Sequence, residues 1–261
     1  MTDRRAALIT LASGYVGPPL ARLLAASGHD LVLHLPGSGP STLVDAEGVA
    51  AFESLVTDLR ALGAEVETVS GVDLTTQEGN EAVVGKALDV FGRLDAACFV
   101  TGSIITGPFL GSTLAQWDKL KMVNLDMVFH ALQAALPPMV EAGCGQIVVF
   151  TSATGARPEP MVSLYGSTRA GANALVRAVG LEHAKFGVTV NAIGTNYMDF
   201  PGFLAATGAN DPERRAKIEA QVPMRRLGGM DELAEFTAVL LDGRSRFQTG
   251  QFFSYSGGWS T

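Results

Sequence analysis

Ser152, Tyr165 and Arg169 stand in the spacing Ser-x12-Tyr-x3-Arg, a set able to move a proton on or off an oxygen atom. A tyrosine and an arginine four residues apart share one face of a helix. The arginine stays protonated and is no base. Its charge instead favours the phenolate that a general base must become. The serine hydroxyl supplies a hydrogen bond that holds a substrate oxygen against the phenol. Taken alone, the same residues also read as an exposed Tyr/Arg pair and a serine that ends a strand.

These side chains need a scaffold that brings a strand end and a helix start together. The pattern alternates strand and helix along all 261 residues, which predicts one doubly wound, Rossmann-like α/β domain over 1–261 with a seven-stranded parallel sheet. Apolar runs at 6–10, 31–35, 65–70, 96–100, 147–150, 188–193 and 251–255 give the strands. Helices are expected at 49–62, 76–92, 113–136 and 164–186. Between the last two strands, 199–222 reads as an insertion, with Asp211-Pro212-Glu213 as the cap, first position and acidic first turn of a helix. In such a sheet the ligand lies outside the carboxyl ends of the strands. That places Tyr15, Thr101-Gly102, Ser152 and 195–198 around one crevice.

Composition narrows the class. A hydrophobic content of 47% with 30 glycines suits a buried sheet with tight turns. The net charge of −7 argues against nucleic acid and anionic membrane surfaces as partners. Cys98 and Cys144 have no CxxC and no histidine at ligand spacing, so no metal site and a reducing compartment are expected. No signal-peptide core and no apolar run of spanning length is visible, which makes a cytoplasmic protein the expectation.

The loop after the first strand is where a dinucleotide would lie, and glycines there let the backbone approach a pyrophosphate. It reads Thr10-Leu-Ala-Ser-Gly-Tyr15-Val-Gly17. The second strand ends in His34-Leu35-Pro36-Gly37, with no acidic residue for a ribose and no arginine for a 2′-phosphate.

Over its whole length the chain resembles the short-chain dehydrogenase/reductase superfamily. That superfamily's Ser…Tyr-x3-Lys motif falls on Ser152, Tyr165 and position 169, and Asp73, Asn124 and Thr249-Gly250-Gln251 match further landmarks. Four departures stand out. Leu11 and Tyr15 replace two glycines, the acidic residue after strand two is missing, Phe99-Val100-Thr101-Gly102 replaces Asn-Asn-Ala-Gly, and Arg169 replaces the lysine. Within the superfamily, Thr10-x4-Tyr15-x-Gly17 together with Ser152, Tyr165 and Arg169 resembles the halohydrin dehalogenases, and the chain is most similar to the G-type enzymes that accept cyclic epoxides.

That resemblance implies a lyase needing no nicotinamide cofactor and no metal. Tyr165 would deprotonate a vicinal haloalcohol held by Ser152, closing an epoxide and expelling halide. In reverse, azide, cyanide or nitrite would open an epoxide. Tyr15 with Thr195, Asn196, Tyr197 and Met198 would form the halide or nucleophile site. Phe200, Phe203 and Leu204 would give an apolar substrate wall. A homotetramer also follows from the resemblance. The alternatives are a divergent NAD(P)-dependent short-chain reductase and a non-catalytic sensor on the same fold.

Overall fold

A computed structural model describes residues 4–36 and 46–260. Gly37, part of the motif after the second strand, lies outside them. The chain runs β1 (Arg5–Ile9), α1 (Gly17–Ala26), β2 (His29–Leu35), α2 (Ala46–Ala61), β3 (Val66–Ser70), α3 (Gln77–Phe91) and β4 (Ala96–Val100) through its first part. It continues through α4 (Leu114–Lys121), α5 (Met127–Glu141), β5 (Gly145–Ser152), α6 (Ser163–His183), β6 (Val188–Thr195), α7 (Pro201–Thr207), α8 (Pro212–Glu219), α9 (Met230–Leu241) and β7 (Phe252–Tyr255). The strands form one parallel seven-stranded sheet in the order β3-β2-β1-β4-β5-β6-β7. The order in which strands are laid down reverses beside β1, with β2 and β3 on one side and β4 to β7 on the other, which makes the β1/β4 boundary the switch point.

Both sheet faces are covered, and this is why the strands read as unbroken apolar runs. On one face Leu20, Leu24, Leu59 and Leu241 from α1, α2 and α9 pack over Ile9, Leu31 and Phe150. On the other, Val83, Leu132, Met139 and Val176 from α3, α5 and α6 pack over Leu8, Phe99 and Ile147. Each such side chain contributes roughly 1.5–3 kcal/mol of burial.

Local signals explain several boundaries. Thr76 caps α3 by accepting from the Gly79 amide, and Gly92 ends it at φ 69°. Asp211 caps α8 in the expected way, accepting from the Arg214 amide. Two expectations need correction. The long helix expected at 113–136 is two helices joined by a π-helical turn, Met122–Asp126. Its second part continues through Pro137 and Pro138 to Glu141. And 199–222 holds two helices, α7 and α8, rather than one. Among the described residues no helix is long and apolar enough to cross a membrane.

Candidate active site

β5 and β6 pair over their full length, so Ser152 and Thr195 face one another at the last rung. Ser152 is buried at 4% exposure. Its Oγ lies 2.7 Å from Thr154 Oγ1, accepts from the Thr154 amide at 3.2 Å and reaches the Thr195 carbonyl at 3.5 Å. The 3-10 turn Ala153–Gly155 that follows packs against α6. Tyr165 and Arg169 sit in the first two turns of that helix. The serine is therefore held by the end of a central strand, and the tyrosine by a helix docked on it.

Arg169 is buried to 4% exposure. Its Nη1 donates to Thr101 Oγ1 at 3.0 Å and its Nη2 to the Thr101 carbonyl at 2.5 Å. Thr101 Oγ1 donates in turn to the Phe150 carbonyl at 3.0 Å. The guanidinium carbon stands 5.4 Å from the Tyr165 ring centroid. Arg169 thus acts on the tyrosine across its ring face, while its donors fasten the loop after β4. Gly102, at φ 102°, leaves the space for this: a Cβ there would come within 1.8 Å of Arg169 Nη2 and 2.2 Å of Asn124 Oδ1. Asn124, inside the π-helical turn, clamps Ser103 by accepting from its amide at 3.1 Å and donating to its carbonyl at 3.0 Å.

Above these residues lies the turn after β1. Leu11 and Tyr15, at the positions where glycines were expected, adopt φ of 50° and 52°. The backbone keeps a glycine-like path while carrying side chains, at roughly 1–2 kcal/mol each. The Leu11 amide donates to His34 Nδ1 at 3.3 Å, which supports the left-handed turn. Gly17 retains its steric role, since a Cβ there would meet the Ala12 carbonyl oxygen at 2.6 Å. The Tyr15 hydroxyl donates to Thr195 Oγ1 at 2.7 Å. Its ring packs edge-on against Phe150 and Phe200, with centroids 5.5 and 5.0 Å away. Burial pushes the Tyr15 phenol well above its ordinary range, and the nearby Tyr165 raises it further, against the lowering effects of the Thr195 hydrogen bond and Arg169.

The other expected residues divide. Thr195 joins Tyr15 at the crevice. Asn196 turns its Oδ1 back to the Tyr197 amide at 3.0 Å. Tyr197, at φ 56°, faces away and donates its hydroxyl to Gln221 Oε1 at 3.1 Å. Met198 is buried and bridges to Gly228. Phe200 reaches Tyr15, whereas Phe203 packs on Tyr197 with centroids 6.1 Å apart. Leu204 lies in α7 and its carbonyl accepts from the Gly208 amide. Thr154, Arg157 and Trp259 belong to the same neighbourhood, though no motif links them in the sequence. Among the described residues no cluster of metal-ligating side chains occurs.

The family model described as enoyl-(acyl carrier protein) reductase matches residues 16–260. A 3-oxoacyl-[acyl-carrier-protein] reductase of Staphylococcus aureus is 27% identical to the chain, covering 99% of each. Among solved structures, levodione reductase aligns with a TM-score of 0.85 at 29% identity, over 97% of this chain and 96% of its own. The structure of ElxO with NADP bound also aligns with a TM-score of 0.85, over 98% of both chains; at 21% identity it shows likeness of fold.

These findings overturn the expected activity. Full-length relatives are named as reductases, and the expectation of a cofactor-free lyase acting on haloalcohols and epoxides is corrected accordingly. The physical reason is that Ser152 and Tyr165 handle a proton at an oxygen in either chemistry. Their spacing does not say whether a hydride or a halide leaves the neighbouring carbon. A nicotinamide dinucleotide, the group such reductases imply, does not fit the crevice as folded here. Leu11 and Tyr15 take the glycine positions at which its pyrophosphate would approach the backbone, the Tyr15 ring packs there against Phe150 and Phe200, and Arg169 has two of its nitrogens committed to Thr101.

Proposed function

The chain belongs to the short-chain dehydrogenase/reductase superfamily, in the family whose model spans residues 16–260, and from that premise we propose that it is a divergent oxidoreductase interconverting a carbonyl and a secondary alcohol. One observation carries the reading. The Ser152, Tyr165 and Arg169 set lies at the strand ends of a chain alignable end to end with reductases. Ser152 donates to the substrate oxygen. Tyr165 gives that oxygen a proton in the direction of reduction and takes it back in oxidation. Arg169 holds the loop after β4 and lies over the ring of Tyr165. The nicotinamide nucleotide is the hydride partner that relatives of this class imply. Tyr15 must leave its seat before that nucleotide can bind.

Phe200 supports an apolar substrate, since its ring packs edge-on against Tyr15 beside Thr195. We also propose that the chain assembles as a homotetramer. Exposed Leu114 and Trp117 on α4 and Phe129 on α5 support this, as large apolar side chains that a partner subunit would cover.

The test is turnover of a panel of cyclic and linear ketones with NADH and NADPH, followed by nucleotide absorbance. Nucleotide-dependent reduction that Tyr165→Phe abolishes would support the reading. Halide release from a β-halo alcohol with no nucleotide present, also lost in Tyr165→Phe, would overturn it.

A further inference from the structure

A chain of aromatic contacts runs from the C-terminal end of the protein to the crevice. Trp259, at 5% exposure, stands edge-on to Tyr197 with centroids 5.8 Å apart. Tyr197 meets Phe203 at 6.1 Å, Phe203 meets Phe200 at 6.4 Å, and Phe200 meets Tyr15 at 5.0 Å. The far end is anchored by Arg157, which follows the turn after Ser152. Its guanidinium carbon lies 4.6 Å from the Trp259 ring centroid, and its Nη1 donates to the Trp259 carbonyl. The Arg157 amide is itself fixed by donation to the Ala153 carbonyl at 2.9 Å.

The segment carrying Trp259 is closed on itself. The Ser260 amide donates to Ser256 Oγ at 3.0 Å, and Ser254 Oγ donates to the Ser260 carbonyl at 2.8 Å. Gly257 and Gly258, at φ 60° and 85°, make the turn. A rigid indole is thus presented to Tyr197, a residue whose left-handed backbone is maintained only by what surrounds it. Tyr197 in turn joins Thr195, the partner of Tyr15, to α7, which carries the apolar wall.

We propose that Arg157 and Trp259 are positioning residues, which fix 195–207 as the substrate-side wall of the crevice by clamping Tyr197. The proposal rests on the oxidoreductase reading for its kinetic consequence, and on geometry alone for its structural one. Neither residue touches the reacting atoms. They set where Phe200 and Thr195 stand, so their loss weakens substrate binding more than the proton transfer at Tyr165.

The experiment pairs disruptive with conservative variants: Arg157→Gln against Arg157→Lys, and Trp259→Ala against Trp259→Phe. Hydrogen–deuterium exchange on the intact protein gives the first readout. Arg157→Gln and Trp259→Ala should speed exchange across 195–207 by about tenfold while leaving β5 unchanged, and the conservative variants should restore protection. In steady-state ketone reduction the same two variants should raise KM about tenfold with kcat within about twofold, as expected for binding lost equally from ground and transition states. Faster exchange confined to 156–158 and 256–260 would overturn the proposal, as would a fall in kcat at unchanged KM. Exchange needs no turnover, so absence of reductase activity would sink the functional reading and leave this inference to be decided by exchange. If Trp259→Ala fails to fold, Arg157→Gln alone gives the same reading.

Discussion

The hydroxyl of Tyr15 donates to Oγ1 of Thr195 at 2.7 Å, joining the turn after β1 to the end of β6 across the mouth of the crevice. The two residues are 180 positions apart in sequence. One stands where a glycine was expected, and the other pairs across the sheet with Ser152.

If this contact closes the crevice, removing it should open the crevice. The double variant Leu11→Gly/Tyr15→Gly keeps a backbone path that already has glycine-like φ at both positions. Calorimetric titration should show it binding NADH or NADPH at least tenfold more tightly than the unaltered protein, about 1.4 kcal/mol. Equal affinity in the two proteins would mean that Tyr15 does not obstruct the nucleotide.

Tyr165→Phe removes the only proton the tyrosine can exchange and leaves the ring that packs over Arg169. Turnover should fall by about 10²–10⁴-fold while the melting temperature stays within a degree or two. Ser152→Ala should cost less, on the order of 10²-fold, because the backbone around it is held by strand pairing. Activity in Tyr165→Phe close to that of the unaltered protein would remove the tyrosine from its assigned role.

Gly102→Ala tests the packing behind the site. The added methyl would sit 1.8 Å from Arg169 Nη2, on a residue at φ 102°. Both faults demand movement of a buried, hydrogen-bonded group. A loss of about 2–4 kcal/mol of stability in urea unfolding is expected, with loss of most activity. A neutral effect would show that Arg169 is not fixed where it stands.

His29 and His34 give the protein an acid limit. Burial holds both imidazoles near pKa about 4, against an ordinary value of 6.5, and Arg5 adds to the lowering at His29. As pH falls below about 6.5 the unfolded chain takes up protons that the folded chain refuses. Stability is therefore full above that value and declines as pH drops towards about 4. Melting temperature measured over this window should fall steadily, and the variant His29→Asn/His34→Asn should show a flatter profile.

The sheet was legible in the sequence because parallel strands buried on both faces leave unbroken apolar runs. The alternation that surrounds them could hardly fold otherwise. The cap at Asp211 was legible because its chemistry is local. The π-helical turn at Met122–Asp126 was not, since no glycine or proline marks it. It exists for a distant reason, placing Asn124 against Ser103. The Ser152–Tyr165–Arg169 spacing identified proton chemistry but not its companion step, which depends on what else occupies the crevice. Substituted glycines at Leu11 and Tyr15 revealed that side chains enter that space. They did not reveal that the backbone keeps its left-handed course. Arg157 and Trp259 were invisible because their contact joins segments 102 residues apart.

The strand register carries a consequence for how the molecule is held together. β5 and β6 share eight aligned pairs, whereas β1 and β4 share three. That shortest seam runs through the switch point, with β1, β2 and β3 on one side and β4 to β7 on the other. Helices carry the load that this short pairing leaves, since both core clusters cross it, α1 against α9 on one face and α3 against α5 on the other. Tyr15 stands on one side of the seam and Thr195 on the other, so their bond works as a further staple across it.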